Sequence, residues 1–319
     1  MDWVMIFGGL ALLLFGGDVL VRGACGLALQ FRISPAVVGL TVVAAGTSMP
    51  EMVVSIQSAV QGQSGLAVGN IVGSNIFNIA AIVGIAALIS PLRVEGDAVR
   101  LQWPAMMLSA ALFFLLTRDG LLDRVEGVFF IFGMVAFVSY SIWVSRVNAT
   151  PEALHGKGDL TTIPFGKTPG TRMVIHIVAV FLGIGLLALG AHVLVRGATA
   201  VARNFGVSET VIGLTIVAAG TSMPELITSV VASWRKRDDI AVGNIIGSNI
   251  FNVLAIGGVT AAVTPVPVPD EIISRDNLWM VAFSLLLLPI IRTGMVVSRR
   301  ESLLLLTLFG IYMALIIGG

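Results

Sequence analysis

Long apolar runs, separated by short polar or Pro/Gly-rich patches, dominate the hydropathy pattern of this chain. A helix that crosses the hydrocarbon core of a membrane needs about 20 apolar residues. Lipid accommodates only helices and closed barrels as spanning structures, and these runs are too long and too uniformly apolar for barrel strands. We therefore predict an all-α membrane protein with ten transmembrane helices, at residues 3–29, 35–60, 67–90, 99–117, 123–145, 172–201, 208–234, 240–263, 276–293 and 301–318.

The composition agrees with a membrane location. Of the 319 residues, 56% are hydrophobic and only 12% are charged, whereas soluble domains carry about 25% charged residues. The net charge is +1, so the chain presents no excess of basic residues for nucleic acid. These values exclude a soluble enzyme and a nucleic-acid-binding protein, and they imply no protein partner. The bilayer itself is the expected surrounding.

A polar linker divides the chain into two halves. Residues 146–171 are rich in charged residues and helix breakers, which predicts a loop. Five predicted helices precede it in residues 1–145, and five follow it in residues 172–319. We therefore expect one integral membrane domain built from two five-helix units.

The two halves are copies of each other. Gly39–Glu51 matches Gly213–Glu225 at all but one position, and Ala67–Asn78 matches Ala241–Asn252 at all but one position. Both matches occur at the same offset along the chain and contain no gaps. A match of this length indicates an internal duplication.

An odd number of helices per copy predicts that the second copy lies upside down in the membrane. With the N-terminus outside, the inside segments hold fourteen Lys and Arg and the outside segments hold five, as the positive-inside rule requires. We therefore predict a multi-pass protein of the cell (inner) membrane with both termini outside and the central linker in the cytoplasm. Inverted repeats are typical of secondary transporters, whose ion sites lie near the midplane.

Each copy places a glutamate within an apolar run, directly after Gly-Thr-Ser-Met-Pro. An ionisable group at membrane depth is a functional-site hypothesis by default. Thr47, Ser48 and Glu51 have the spacing that projects side chains from one helix face. Pro50 cannot donate a backbone hydrogen bond, which predicts a broken helix with free main-chain oxygens near Ala44–Gly46. The second copy supplies the equivalent residues Ala218, Thr221, Ser222 and Glu225.

The next predicted helix of each copy adds hydroxyl and amide oxygens. Ser74 and Asn78 are one turn apart, and Ser248 and Asn252 match them. The Gly-x-x-x-Gly spacing that precedes them permits close approach of a neighbouring helix. A single Ser or Thr in a membrane helix usually bonds its own backbone, but the duplication disfavours that interpretation here. The combined all-oxygen donor set suits hard cations such as Ca²⁺ and Na⁺, and the lack of His and Cys disfavours zinc or copper.

These motifs resemble the α-repeats of the cation/Ca²⁺ exchanger superfamily, and most closely its prokaryotic sodium/calcium exchangers. The resemblance covers nearly the whole chain. It implies four cation sites at the membrane centre, three for Na⁺ and one for Ca²⁺, and long first and sixth helices that slide across the core. It implies no cofactor, because Na⁺ and Ca²⁺ are the transported ions. Carried over by motif position, it implies the ligands Glu51, Glu225, Asn78, Asn252, Thr47, Ser48, Ser74, Thr221, Ser222 and Ser248, with the carbonyls of Ala44 and Ala218.

The resemblance also implies a subclass. Several relatives, including the potassium-dependent exchangers, have Asp at the position of Asn252, so Asn implies K⁺-independence. Two central carboxylates balance one Ca²⁺ but not three Na⁺, so exchange would move charge. The predicted function is therefore electrogenic, K⁺-independent exchange of Na⁺ for Ca²⁺ by alternating access, and not an enzymatic reaction. Two alternatives stay open: a Ca²⁺/H⁺ or other cation/H⁺ antiporter that uses Glu51 and Glu225 as proton carriers, and a cation channel.

The first predicted helix carries a charged pair. Asp18 and Arg22 are one turn apart, which predicts an ion pair within the helix that lowers the cost of insertion. The residue equivalent to Asp18 in the second copy is His192, next to Arg196 in the same spacing.

Overall fold

The computed structural model describes residues 2–148, 168–206, 216 and 218–318. Within these ranges the chain is helical apart from loops and four two-residue strands. The helices are α1 (Asp2–Phe31), α2 (Pro35–Thr47), α3 (Met49–Val60), α4 (Ser64–Ile89), α5 (Ala98–Asp119), α6 (Arg124–Val147), α7 (Pro169–Asn204), α8 (Ala218–Thr221), α9 (Met223–Trp234), α10 (Asp238–Val263), α11 (Ile272–Arg292) and α12 (Arg299–Gly318).

The described helices confirm an all-helical membrane protein. Seven of them, α1, α4, α5, α6, α7, α10 and α11, are long and apolar enough to cross a membrane. An eighth span results if α2 and α3, which meet at 46°, form one broken helix. The predicted span at 208–234 begins outside the described residues, and α12 is not among the seven. The count of ten helices therefore stays a prediction, as does the division into two five-helix units, since most of the 146–171 linker lies outside the described residues.

Two helices form the centre of the protein. Most of α4 and most of α10 are buried, whereas α1, α5, α6 and α7 leave much of their apolar surface exposed. An apolar helix surface that no protein covers is typical of contact with lipid. The duplicated Ser/Asn motif thus lies on the two most enclosed helices.

The two longest helices, α1 and α7, pack against each other in opposite directions. A Cβ atom on Gly9 would lie 2.6 Å from the backbone nitrogen of Leu194, and one on Gly23 would lie 3.0 Å from that of Val180. Contacts this short require glycine, because a methyl group would strike backbone atoms. The glycines recur at every seventh position and in both copies, as Gly9, Gly16 and Gly23 and as Gly183, Gly190 and Gly197. The antiparallel direction of two equivalent helices is what an inverted repeat requires.

Short strands connect the two halves near the ends of the helices. They are β1 (Leu92–Arg93), β2 (Leu121–Leu122), β3 (Val266–Pro267) and β4 (Val296–Val297). Antiparallel pairing joins β1 to β4 and β2 to β3. β1 and β3 are the first strands of the two copies. The first strand of each copy therefore pairs with the second strand of the other copy.

Candidate cation site

A helix break precedes each central glutamate. Ser48 separates α2 from α3 with φ −84° and ψ 7°, and Ser222 precedes α9 with φ −89° and ψ 8°. Pro50 and Pro224 follow in the first turn, where the missing N–H of proline costs no helical hydrogen bond. The proline therefore begins a new helix, and it sets the following glutamate in that first turn in both copies.

The two glutamates lie in the buried interior, and each is 1% exposed. The Ser48 hydroxyl donates to Glu225 Oε1 at 2.8 Å, and the Ser222 hydroxyl donates to Glu51 Oε1 at 2.9 Å. The ion pairs within the described part of the chain all involve other carboxylates. Each copy thus supplies the serine that holds the glutamate of the other copy, and the arrangement exists only where the copies meet.

The motif asparagines approach the same place from the neighbouring helices. Asn78 begins a π-helical segment of α4 that packs against α9, which carries Glu225. Asn252 begins the equivalent segment of α10, which packs against α3, the helix that carries Glu51. Both asparagines are 1% exposed. Single π-helical turns are frequent at functional sites, and here both copies have one at the same position.

Several of these oxygens have no hydrogen-bond partner. Leaving a buried polar atom unpaired costs about 1–3 kcal/mol, so buried groups are normally paired. Oxygen atoms are the ligands that hard cations prefer, and a bound cation would satisfy those of them that it contacts. Among the described residues, the unpaired buried oxygens of the motifs are Glu51 Oε2, Glu225 Oε2, Asn78 Oδ1, Asn252 Oδ1, Ser248 Oγ and Asn249 Oδ1.

The broken turn of the first copy is more fully bonded than the sequence suggests. The Ala44 carbonyl accepts a hydrogen bond from the Ser48 N–H at 3.0 Å, so the prediction of a free carbonyl is wrong for this residue. Ser48 still completes a helical turn, and the Thr47 hydroxyl also lies 3.3 Å from the Ala44 carbonyl. The Thr47 hydroxyl lies 3.1 Å from the Val43 carbonyl and 3.3 Å from Asn244 Oδ1.

The remaining motif residues lie in the same region. Ser74 is buried one turn before Asn78, and Ser248 is buried at the equivalent position before Asn252. Ala218 and Thr221 are the first and last residues of α8. The structure therefore joins the motifs of the two copies through the bonds from Ser48 to Glu225 and from Ser222 to Glu51. The described residues contain no group of three or more His, Cys, Asp or Glu that could hold a metal ion.

Sequence reasoning missed two asparagines that position the glutamates. Asn70 Nδ2 donates to the main-chain carbonyl of Glu51 at 3.0 Å and to the Ser55 hydroxyl at 2.9 Å. The contact ties α3 to α4 directly beside the glutamate. The signal was present in the duplicated Gly-Asn pair of both motifs, but the sequence offered no partner for it. The second copy repeats both contacts with Asn244, Glu225 and Ser229.

We expect Asn70→Ala to weaken both the fold and ion binding. The substitution leaves a buried carbonyl and a buried hydroxyl without their donor, which costs about 1–3 kcal/mol. The melting temperature in detergent should fall by several degrees, and the Ca²⁺ concentration for half-maximal uptake should rise up to about tenfold. Asn148→Ala, at an exposed helix end, is the control and should change neither value. An unchanged melting temperature and half-saturation in Asn70→Ala would contradict the positioning role.

A cavity leads from the motifs to the face of α7. Its volume is about 470 Å³. Its lining includes Gly46 and Thr47 of the first copy, Thr221 of the second copy and His192 of α7. Because Thr47 and Thr221 are predicted ligands, the cavity is a candidate path for ions to the site.

Comparison with known proteins is consistent with this geometry. The family model described as sodium/calcium exchanger protein matches residues 1–143 and 175–318. The chain is 36% identical to the inner membrane protein YrbG of Escherichia coli, over 88% of this chain and 86% of that protein. It is 31% identical to the sodium/calcium exchanger MaX1 of Methanosarcina acetivorans, over 97% of this chain and 96% of that protein. A solved structure of the sodium-calcium exchanger NCX_Mj, soaked with Na⁺ and Ca²⁺, superimposes with a TM-score of 0.82 at 28% identity, over 98% of this chain and 97% of that chain.

Proposed function

This chain belongs to the sodium/calcium exchanger protein family, and we propose that it exchanges Na⁺ for Ca²⁺ by alternating access, electrogenically and without K⁺. Family membership makes it a membrane transporter of the cation/Ca²⁺ exchange class and not an enzyme. The proposal goes beyond family membership in three respects: the electrogenic coupling, the independence of K⁺ and the access mechanism.

One observation carries the proposal: two buried carboxylates, without a cationic partner among the described residues, meet at the junction of the copies beside unpaired oxygens. Ca²⁺ takes six to eight oxygen ligands. We propose the ligands Glu51, Glu225, Asn78, Asn252, Thr47, Ser48, Ser74, Thr221, Ser222 and Ser248, with the carbonyls of Ala44 and Ala218.

Competition for the carboxylates couples the two ions. Two negative charges neutralise one Ca²⁺, whereas three Na⁺ at the same centre leave one positive charge. Because Na⁺ and Ca²⁺ need the same glutamates, they cannot occupy the centre together, and one must leave before the other binds. Each ion then shifts the equilibrium between the two access states only as far as its binding affinity differs between them. An exchange cycle of this kind moves net charge across the membrane.

We further propose that both termini face outward and the central linker faces the cytoplasm in a cell (inner) membrane. The excess of Lys and Arg in the inside segments supports this orientation.

The test is Ca²⁺ uptake into proteoliposomes that are loaded with Na⁺, diluted into K⁺-free choline medium and held at several membrane potentials. The proposal predicts uptake that requires internal Na⁺, ignores K⁺ and responds to voltage. Uptake that is indifferent to Na⁺ and follows a pH gradient would replace it by Ca²⁺/H⁺ exchange. Unitary currents too large for a carrier would replace it by a channel.

Asn252→Asp tests the K⁺-independence. Asn252 is buried and its Oδ1 has no partner among the described residues, so the substitution adds a third negative charge at the centre. We expect the variant to bind an additional K⁺ or H⁺ to offset that charge, which makes Ca²⁺ uptake sensitive to K⁺ or pH by about threefold or more. Uptake is measured with and without K⁺ across a pH series. Flux that stays independent of both would contradict the role given to this position.

A further inference from the structure

The two copies bury equivalent residues to different extents. Val53 on α3 is 50% exposed and lines the cavity, whereas its equivalent Ile227 on α9 is 9% exposed. A Cβ atom on Gly17 of α1 would lie 3.5 Å from the side chains of Ile227 and Val231. Ala191, the equivalent of Gly17 on α7, lines the cavity instead. The face between α1 and α9 is therefore closed at Gly17 and Ile227, with a cavity of about 430 Å³ beside Asp18 and Arg235. The face between α7 and α3 is open at the equivalent residues.

An ion pair joins α1 to α9 on the closed face. Asp18 Oδ2 accepts a hydrogen bond from Arg22 Nε at 2.9 Å within α1, which confirms the pair that the sequence predicts. Asp18 Oδ1 also lies 2.5 Å from a terminal guanidinium nitrogen of Arg235, at the end of α9, in an ion pair without hydrogen-bond geometry. The three side chains are only partly exposed, and partly buried pairs are screened less by salt than surface pairs. The second contact crosses the closed face, whereas the first stays within one helix.

The open face lacks the residues for an equivalent ion pair. His192 occupies the position equivalent to Asp18, and Gln61 occupies the position equivalent to Arg235. The six residues that follow Asp18 and His192 are identical, so the difference is local. If α7 closed on α3 as α1 closes on α9, His192 would face Gln61. That closure cannot form a carboxylate–guanidinium pair.

We propose that Asp18 and Arg235 form a latch that keeps the face between α1 and α9 closed and thereby sets the resting access state. The inference rests on the proposed alternating access. An equilibrium between two access states shifts only when an interaction stabilises one state more than the other. This ion pair stabilises the state in which α1 is closed on α9, and the state in which α7 is closed on α3 has no equivalent pair. In the proposed orientation the latched face is cytoplasmic, so the resting transporter presents its site to the outside, where Na⁺ is abundant.

The experiment measures access to both faces by thiol labelling. Val53→Cys and Ile227→Cys are introduced separately into a Cys25→Ala background, and the protein is placed in nanodiscs without Na⁺ or Ca²⁺. A membrane-impermeant maleimide then reaches both faces, so the result does not depend on orientation. Adding Asp18→Asn should raise the labelling rate at position 227 by roughly threefold to tenfold, as the loss of a partly buried ion pair implies. The same change should lower the labelling rate at position 53.

Three further variants separate the latch from a general loosening of the fold. Arg235→Gln should reproduce the shift, and its combination with Asp18→Asn should add nothing, because both remove one interaction. Arg22→Gln removes only the contact within α1 and should leave both labelling rates unchanged. Equal increases at both reporter positions, or no change at either, would overturn the latch.

The labelling result is separable from the proposed function, because labelling requires no transport. Na⁺-driven uptake is measured with the same proteins. Unchanged labelling with intact Na⁺-driven uptake overturns the latch alone. Wild-type uptake that ignores Na⁺, together with the labelling shift in Asp18→Asn, overturns the proposed coupling and supports the latch.

Discussion

Replacing either central glutamate by glutamine, as Glu51→Gln or Glu225→Gln, should lower Ca²⁺ exchange at least about hundredfold, since a loss of a few kcal/mol in binding has that effect. Glutamine keeps the shape of the side chain and an oxygen that can accept from Ser222 or Ser48. It removes half of the negative charge that offsets a bound Ca²⁺. In a buried site without a cationic side-chain partner among the described residues, water cannot replace that charge.

Uptake and ligand-induced stabilisation together test this expectation. In the wild type, Ca²⁺ should raise the melting temperature, because a ligand that binds only the folded state stabilises it. Both variants should fold and should lose this increase along with the flux. Glu271→Gln, which changes an exposed carboxylate directly before α11, is the matched control and should behave as wild type. Near-wild-type flux in either central variant would contradict the site.

The membrane class and the motif residues could be predicted because they depend on local signals. Hydropathy marks helices wherever about 20 apolar residues follow each other, and a duplicated Pro-Glu within such a run marks both a break and a costly charge. The structure has the break at Ser48 and again at Ser222. The ten-helix count could not be settled in the same way, because broken helices divide a span into pieces.

The contacts between the copies could not be read from the sequence. The bond from Ser48 to Glu225 joins residues that are far apart in the chain, and only packing brings them together. The same holds for Asn70, whose partners are the Glu51 carbonyl and Ser55. The sequence of the repeat is also nearly symmetric, whereas the packing is not. Which face is closed therefore depends on tertiary contacts and on differences between the copies such as Asp18 and His192.

Close packing of α10 against α2 leads to the second large expected effect. A Cβ atom on Gly247 would lie 2.3 Å from the carbonyl oxygen of Leu40, and one on Gly243 would lie 2.4 Å from that of Ala36. Backbone atoms cannot move aside as a flexible side chain does, so α10 must shift away from α2. We expect Gly247→Ala to destabilise the protein by about 1–3 kcal/mol and to lower Ca²⁺ uptake by about tenfold or more. Uptake falls because the shift separates Asn244 from Thr47.

The sign of this change makes the test decisive. Alanine stabilises an unhindered helix relative to glycine by about 1 kcal/mol, so a fall in melting temperature can arise only from the packing. Gly310→Ala on α12 is the matched control, because no described atom lies within 4 Å of a Cβ at that position. It should keep wild-type uptake and an equal or higher melting temperature. Gly247→Ala could instead behave like Gly310→Ala. That result would contradict the conclusion that the close approach of α10 to α2 holds the motifs of the two copies together.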